Sequence, residues 1–566
     1  MRNFSQKETK TTKVNTSTSP LNESRWDWLS PLLTSFSPSS FPSFASVKTL
    51  FLLLFTATAL CTAETPRRPN ILRLASIVDV QTLDPAKQLM AFDSMVGLLV
   101  HLPLLDVTNG LTGLTLVPCA ARAWSASPDQ RVFTLQLRTD VAFSNGRSVV
   151  ADDYLYALER ILNPDTGSGD QQMYSGIRGA KAFAAHETNH VAGLRAPSAD
   201  TLVIELERGD PAFPYLLQIA AVPREEVERL GSGFSVRPVG SGPYMVQEWN
   251  RGARLQLTRN PHYYGPEPQH LDGVDLFIGG DETTHLMMFE RGELDVAEIP
   301  IPSFRRLTHN PRWQRLIGNK QRFTTRGLIM NTEIPPLDNV LVRRAISHAL
   351  NRDLRMRVAQ GFHTHAKGML PPVMPGYNPR LRGYDYNPEK AREILRKSGL
   401  PLPLRTGLWH NTAEDMRAAA QGFQWDLKQV GIEIELKEVS AAELVASQSI
   451  RGTVPMGLNS WNTGIPDPSE ILTSNFDGRT ITSAMTRNYA FYNNPAVNRL
   501  LDLAAPEVNL PKRYALYQQA EELLVDDAPW VFLGHKNIRA LRQPWLKGPI
   551  LDVLAGYRLD RVWIEK

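Results

Sequence analysis

The sequence predicts an α/β protein built from more than one domain, and three observations carry that expectation. The 566 residues are 42% hydrophobic and 21% charged, a globular composition in a chain too long to organise around one core. Short segments with every second residue apolar mark half-buried strands, and segments with apolar residues three or four apart mark helices. The two kinds interleave without a fixed repeat, which excludes a simple alternation of strand and helix.

Taken in order, residues 133–138 (FTLQLR), 201–207 (TLVIELE), 254–259 (RLQLTR) and 432–439 (IEIELKEV) read as strands. Asp338 or Asn339 can cap a helix to about Leu350, because either side chain accepts from the unpaired N–H groups of a first turn. Asn387-Pro388 opens a second helix that Gly399 stops, and Thr412 opens a third that ends before Gly431. A fourth runs from about Pro511 to Asp526, ahead of the apolar strand 530–533 (WVFL).

Charge and cysteine usage exclude several classes. The formal charge is +4, and residues 64–566 keep only +1 once the six Lys or Arg and three Asp or Glu before them are set aside. That is no footprint for nucleic acid, so no nucleic-acid partner is expected. Cys61 falls in a leader segment and Cys119 is then alone, so the mature chain has no internal disulfide and Cys119 reads as a small buried residue.

Residues 50–60 (LFLLLFTATAL) are far shorter than the roughly 20 apolar residues of a spanning helix and read as the core of a signal peptide over 47–63. Lys48 supplies its positive end, and Cys61 and Ala63 are small residues suited to cleavage before Glu64. A lipid anchor on Cys61 is the weaker alternative, because Leu60 suits lipidation poorly. Residues 1–46, rich in Ser, Thr and Pro, read as a non-native or disordered extension, and a GUG start at Val47 would yield a compact leader. The protein is therefore expected to be exported to the periplasm.

Catalytic motifs are thin. His186-Glu187-Thr188-Asn189-His190 fits HExxH, which on a helix would set two imidazoles on one face for zinc with Glu187 as base. The extended form fails at Ala196, where a third histidine is required, so a secreted zinc metalloprotease stands only as the alternative function. No nucleophile elbow, Walker A loop or dinucleotide fingerprint occurs. His363 and His365 read as surface histidines, and Asp152-Asp153 as acids favouring the positive end of a helix.

Several segments follow one another in a distinctive order: Thr82-Leu83-Asp84-Pro85, Ala120-Ala121-Arg122-Ala123-Trp124, the block from Phe133 through Gly146 to Asp153, and Gly240-Ser241-Gly242-Pro243-Tyr244 with Asn260-Pro261-His262-Tyr263-Tyr264. Gly292-Glu293-Leu294-Asp295, the stretch from Met330 through Pro335-Pro336 to Ala345, and Trp461 followed by Pro466-Asp467-Pro468 complete the series. Together they resemble one family, the extracellular solute-binding proteins of ABC importers that include oligopeptide, dipeptide and nickel receptors.

The resemblance implies two lobes joined by a hinge, with an inserted subdomain. Lobe I would comprise 64–105, 226–300 and 536–566, the subdomain 106–225, and lobe II 301–535. It implies a non-enzymatic, monomeric receptor without a cofactor, closing on a peptide or other small solute and delivering it to permease subunits. A sensor or chaperone receptor without a permease would share the scaffold.

By the same resemblance Phe92, Asp93, Tyr174, Arg326, Trp461, Gly464 and Asp467 would face the ligand. In peptide-binding relatives an aspartate three residues after the tryptophan that matches Trp461 pairs with the ligand's α-ammonium group; here that residue is Gly464. Asp467 is the nearest acid, Arg326 could meet a carboxylate and Trp461 could stack on the ligand. The expectation is a ligand not held by a free amino terminus: an N-blocked peptide, a cell-wall fragment or another solute.

Overall fold

A computed structural model describes residues 70–88, 90–110, 113–265, 271–358, 360–482, 486–554 and 556–565, so the expected leader, Cys61 and the extension lie outside the described residues. Strand β1 (Ile71–Ser76) and helix α1 (Ala91–Val100) come first. The chain then leaves them for hairpin β2 (Leu105–Gly110) and β3 (Gly113–Pro118), strands β4 (Ala121–Ala126) and β5 (Val132–Leu137), helix α2 (Ala151–Leu162), and strands β6 (Leu194–Ser198) and β7 (Thr201–Glu205). Strands β4, β5, β7 and β6 form an antiparallel sheet in that spatial order. Both β5 and β7 bury every second residue, which is why their alternation was visible in the sequence. Phe133, Leu135, Tyr154, Leu158, Leu202 and Phe234 meet in one core.

The chain returns through β8 (Tyr244–Asn250), β9 (Arg254–Arg259) and β10 (Gly273–Ile278), which build the sheet β1-β10-β9-β8 with β1 parallel to β10. Ahead of β8, Gly240 and Gly242 run against the backbone of Val100. A Cβ on Gly240 would stand 2.1 Å from the Val100 carbonyl oxygen, and one on Gly242 2.5 Å from its carbonyl carbon. The Gly242 N–H donates to that carbonyl at 2.8 Å, so glycine serves close approach of two backbones. Asp84, from the first resembling segment, accepts from Arg160 of α2 at 2.8 and 2.7 Å, tying the opening segment to the inserted one.

The second half contributes β11 (Val296–Glu298), β12 (Ile317–Met330), α3 (Val340–Ala349), β13 (His363–His365), α4 (Pro388–Lys397), β14 (Leu404–Asn411), α5 (Glu414–Lys428) and β15 (Ile432–Val439). Then come β16 (Met456–Asn462), α6 (Pro468–Phe476), α7 (Pro495–Ala504), α8 (Leu510–Asp527) and β17 (Trp530–Arg542). Their sheet runs β11-β17-β12-β16-β14-β15, with β13 also on β17. Asn339 and Asn387 cap α3 and α4 as the sequence predicts, accepting from Leu341 and Lys390 N–H at 2.9 Å each. Helix α5 departs from expectation. Its cap position is Ala413, and Asn411 rather than Thr412 takes up a nearby donor, the Ala413 N–H at 3.1 Å.

Strand β17 links the cores. Val531 and Leu533 pack with Leu328 and Leu458 in the second half, while Ala540 lies in the core of β1, β9 and β10. Strand β11 pairs with Ala540–Arg542, and β12 pairs with β17 from Leu541 back to Trp530.

Candidate functional site

The turn that follows β16 stands against the inserted sheet's side of the molecule, and polar contacts join the two faces. Gln218 Nε2 donates to the Gly464 carbonyl at 3.4 Å, and Arg487 donates to the Gly169 carbonyl at 3.0 Å. The Arg487 guanidinium also lies 4.0 Å from Asp170 and 3.9 Å from Glu470. Nearby, Arg513 is 3.9 Å from Asp210 and Arg208 is 3.6 Å from Asp502.

Trp461, Gly464 and Asp467 come together around this turn. Trp461 lies opposite Thr325 in the β12–β16 ladder and meets Tyr489 edge to face at 5.9 Å; its indole N–H is buried without a hydrogen-bond partner. Gly464 opens on empty space, since a Cβ there would meet nothing within 4 Å. Asp467 is committed elsewhere. It caps α6 through the Ser469 N–H at 2.9 Å and binds the fully buried Arg513 at 3.0 and 3.3 Å, so its acceptor positions are turned into the lobe.

The other expected residues are more scattered. Arg326 lies on β12 and pairs with Asp415 at 2.8 Å. Tyr174 belongs to the inserted core, its hydroxyl donating to the Leu216 carbonyl at 2.9 Å. Phe92 and Asp93 sit on α1 in the core of the first sheet. Asp93, only 1% exposed, accepts from the Gln81 N–H at 2.9 Å through one oxygen, while the other has no partner. Burial raises its pKa.

Sequence reasoning missed Asp170, Arg487, Glu470 and Arg322. Glu470 reads as an ordinary first-turn acid of α6, yet one of its oxygens is buried without a partner, and burial pushes its carboxyl above the usual range. Arg322 donates to the Leu554 carbonyl at 2.7 Å and leaves its Nε unpartnered. No local pattern marks Asp170, Arg487 and Glu470, because only tertiary packing brings those three to one place.

The metal and thiol candidates resolve simply. The HETNH segment forms a turn after the five-residue helix Ala180–Ala184, with His186 at φ 58° and His190 Nδ1 3.2 Å from Glu159, so its imidazoles do not share a helix face. Among the described residues no group of three or more His, Cys, Asp or Glu is placed to hold a metal ion. His363 and His365 alternate along β13, and His363 is not a surface residue: burial pushes its imidazole down to about 3. Burial likewise pushes the Cys119 thiol up to about 12, the behaviour of a packed rather than a reactive cysteine.

Residues 115–483 match the sequence profile of the bacterial extracellular solute-binding proteins, family 5. The chain belongs to this family. This solute-binding protein is 26% identical over 543 residues to di/tripeptide-binding protein 2 of Pseudomonas aeruginosa, covering 91% of this chain and 98% of the relative. It is also 26% identical over 522 residues to the probable D,D-dipeptide-binding periplasmic protein DdpA of Escherichia coli, covering 90% and 96%. Its fold matches clavulanic acid biosynthesis oligopeptide binding protein 2 with a TM-score of 0.82 at 25% identity, over 88% of this chain and 96% of that one. The solute-binding protein thus has the two-lobed α/β architecture, with its inserted subdomain, that the resemblance implied. Among the described residues no helix is long and apolar enough to cross a membrane.

Proposed function

We propose that this protein is a periplasmic receptor that takes up a peptide or peptide-like solute between its lobes and delivers it, unaltered, to the permease of an ABC importer. The observation that carries the reading is the turn at Trp461–Gly464: an aromatic side chain, open space and charged groups face the inserted subdomain across a narrow gap. On this reading lobe I comprises 64–105, 226–300 and 536–566, the subdomain 106–225 and lobe II 301–535, although Phe234 packs in the subdomain's core, and β12 with β17 serves as the joint between the lobes. Closure desolvates the ligand's polar ends, so each needs a partner at the turn or on the facing subdomain, and the closed form is what a permease recognises. The protein acts as a monomer after its leader is removed, and no covalent step is involved.

Small-angle scattering with a di- to pentapeptide library tests this. A binding peptide should compact the protein, be recovered chemically intact, and raise thermal stability by roughly 2.7 kcal/mol at a hundredfold excess over its Kd. Hydrolysis of the peptide, or tight binding without compaction, would contradict the reading.

A further inference from the structure

The sequence expectation that the ligand lacks a free amino end rests on Gly464 alone, and the structure supplies acids at that turn that the sequence did not connect with it. Glu470, only 11% exposed, stands beside Thr463 and Trp461. The Thr463 and Trp461 donors lie close enough to favour its charged form, although neither the Trp461 indole N–H nor one carboxylate oxygen completes a hydrogen bond. From the opposite face comes Asp170, whose side chain is 41% exposed. Between them lies Arg487, at 3.9 Å from one carboxylate and 4.0 Å from the other. Both distances exceed a hydrogen bond, and Arg487 spends one good donor contact on the Gly169 carbonyl instead. Two carboxylates thus share one guanidinium at arm's length, leaving one negative charge uncompensated beside the space that Gly464 leaves open.

We propose that the ligand's ammonium group is received by Glu470 and Asp170 together, so that one cation ties lobe II to the subdomain facing it. This rests on reading the cleft as a peptide site. It gives the missing aspartate a replacement built from two faces rather than one. The three donors of an ammonium suit two carboxylates, and the incoming charge balances the cluster. In the open form the two acids separate into water. In the closed form without a cation they crowd each other in a dry site, so the ammonium favours closure specifically. An N-acylated ligand lacks that charge and leaves one carboxylate unpaired on closing.

Calorimetry on the full chain tests the proposal, using a di- to pentapeptide library with free amino ends and the same library N-acetylated, against the native protein, Glu470→Gln and Asp170→Asn. Free-amine peptides should bind the native protein, acetylation should weaken them about a hundredfold, and each variant should weaken them about tenfold or more. Acetylated peptides, which leave a carboxylate unpaired on closing, should bind either variant at least as tightly as the native protein, which a merely structural defect would not produce. Equal binding of both libraries by the native protein overturns the inference while the peptide reading stands. Loss on acetylation without any effect of either variant overturns the assignment to these residues. Failure of both libraries to bind overturns the peptide reading and the inference with it. Should Glu470→Gln fail to fold, the half-exposed Asp170→Asn decides.

Discussion

Glu521 is a carboxyl placed where water and cations do not reach. It is fully buried on α8, accepts from the Leu370 N–H at 2.8 Å through one oxygen, and leaves the other without a partner. Burial pushes its pKa from the ordinary 4.5 up to about 7. A raised carboxyl is protonated in the folded state while the unfolded state has released the proton, so stability falls as pH rises from about 4.5 through about 7. Glu521→Gln, neutral throughout, should gain on the order of 3 kcal/mol at pH 8 and nothing near pH 4. Urea unfolding at the two pH values measures this, and a gain equal at both would contradict the titration. At this scale the sequence was partly legible. The resemblance singled out Trp461, Gly464 and Asp467, which lie around one turn, but nothing in the sequence showed that Asp467 caps α6 and binds Arg513. Asp170 and Glu470 could not be joined, because they lie 300 residues apart and meet only through the fold.

At the scale of elements, legibility followed one-sided burial. Strand β15 buries Ile432 and Ile434 between exposed glutamates, so its period is plain. Strand β17 is covered on both faces along most of its 13 residues, so only its apolar opening, WVFL, stood out and the rest carried no alternation. Glycines show a similar contrast. Gly242→Ala would drive a Cβ to 2.5 Å from fixed backbone, whereas Gly464→Ala meets nothing within 4 Å. The first should lower stability by about 1–3 kcal/mol, the second by less than about 0.5 kcal/mol. Denaturant midpoints of the two variants decide it, and equal midpoints would mean that the Val100 segment yields to the new methyl group.

At the scale of the whole molecule, composition excluded one core but could not say how the five cores found among the described residues share one chain. That division depends on contacts between distant segments, chiefly β17 and the chain's last residues. Leu546, Leu559 and Val562 complete the core of β1, β9 and β10, and Arg558 holds Asp106 at 2.9 and 2.7 Å across 452 residues of chain. This has a kinetic meaning. Contacts so distant in sequence form late, because a large loop must be closed before they contribute, whereas the subdomain's β5 and β7 pair across a much shorter span. In pulsed hydrogen exchange during refolding, amides of β5 and β7 should gain protection before those of β1 and β10; simultaneous protection would refute this order. A ribosome makes β1 before every other strand described, yet the core beneath its sheet is completed only by the final residues, so on this expectation the first strand synthesised is among the last to be secured.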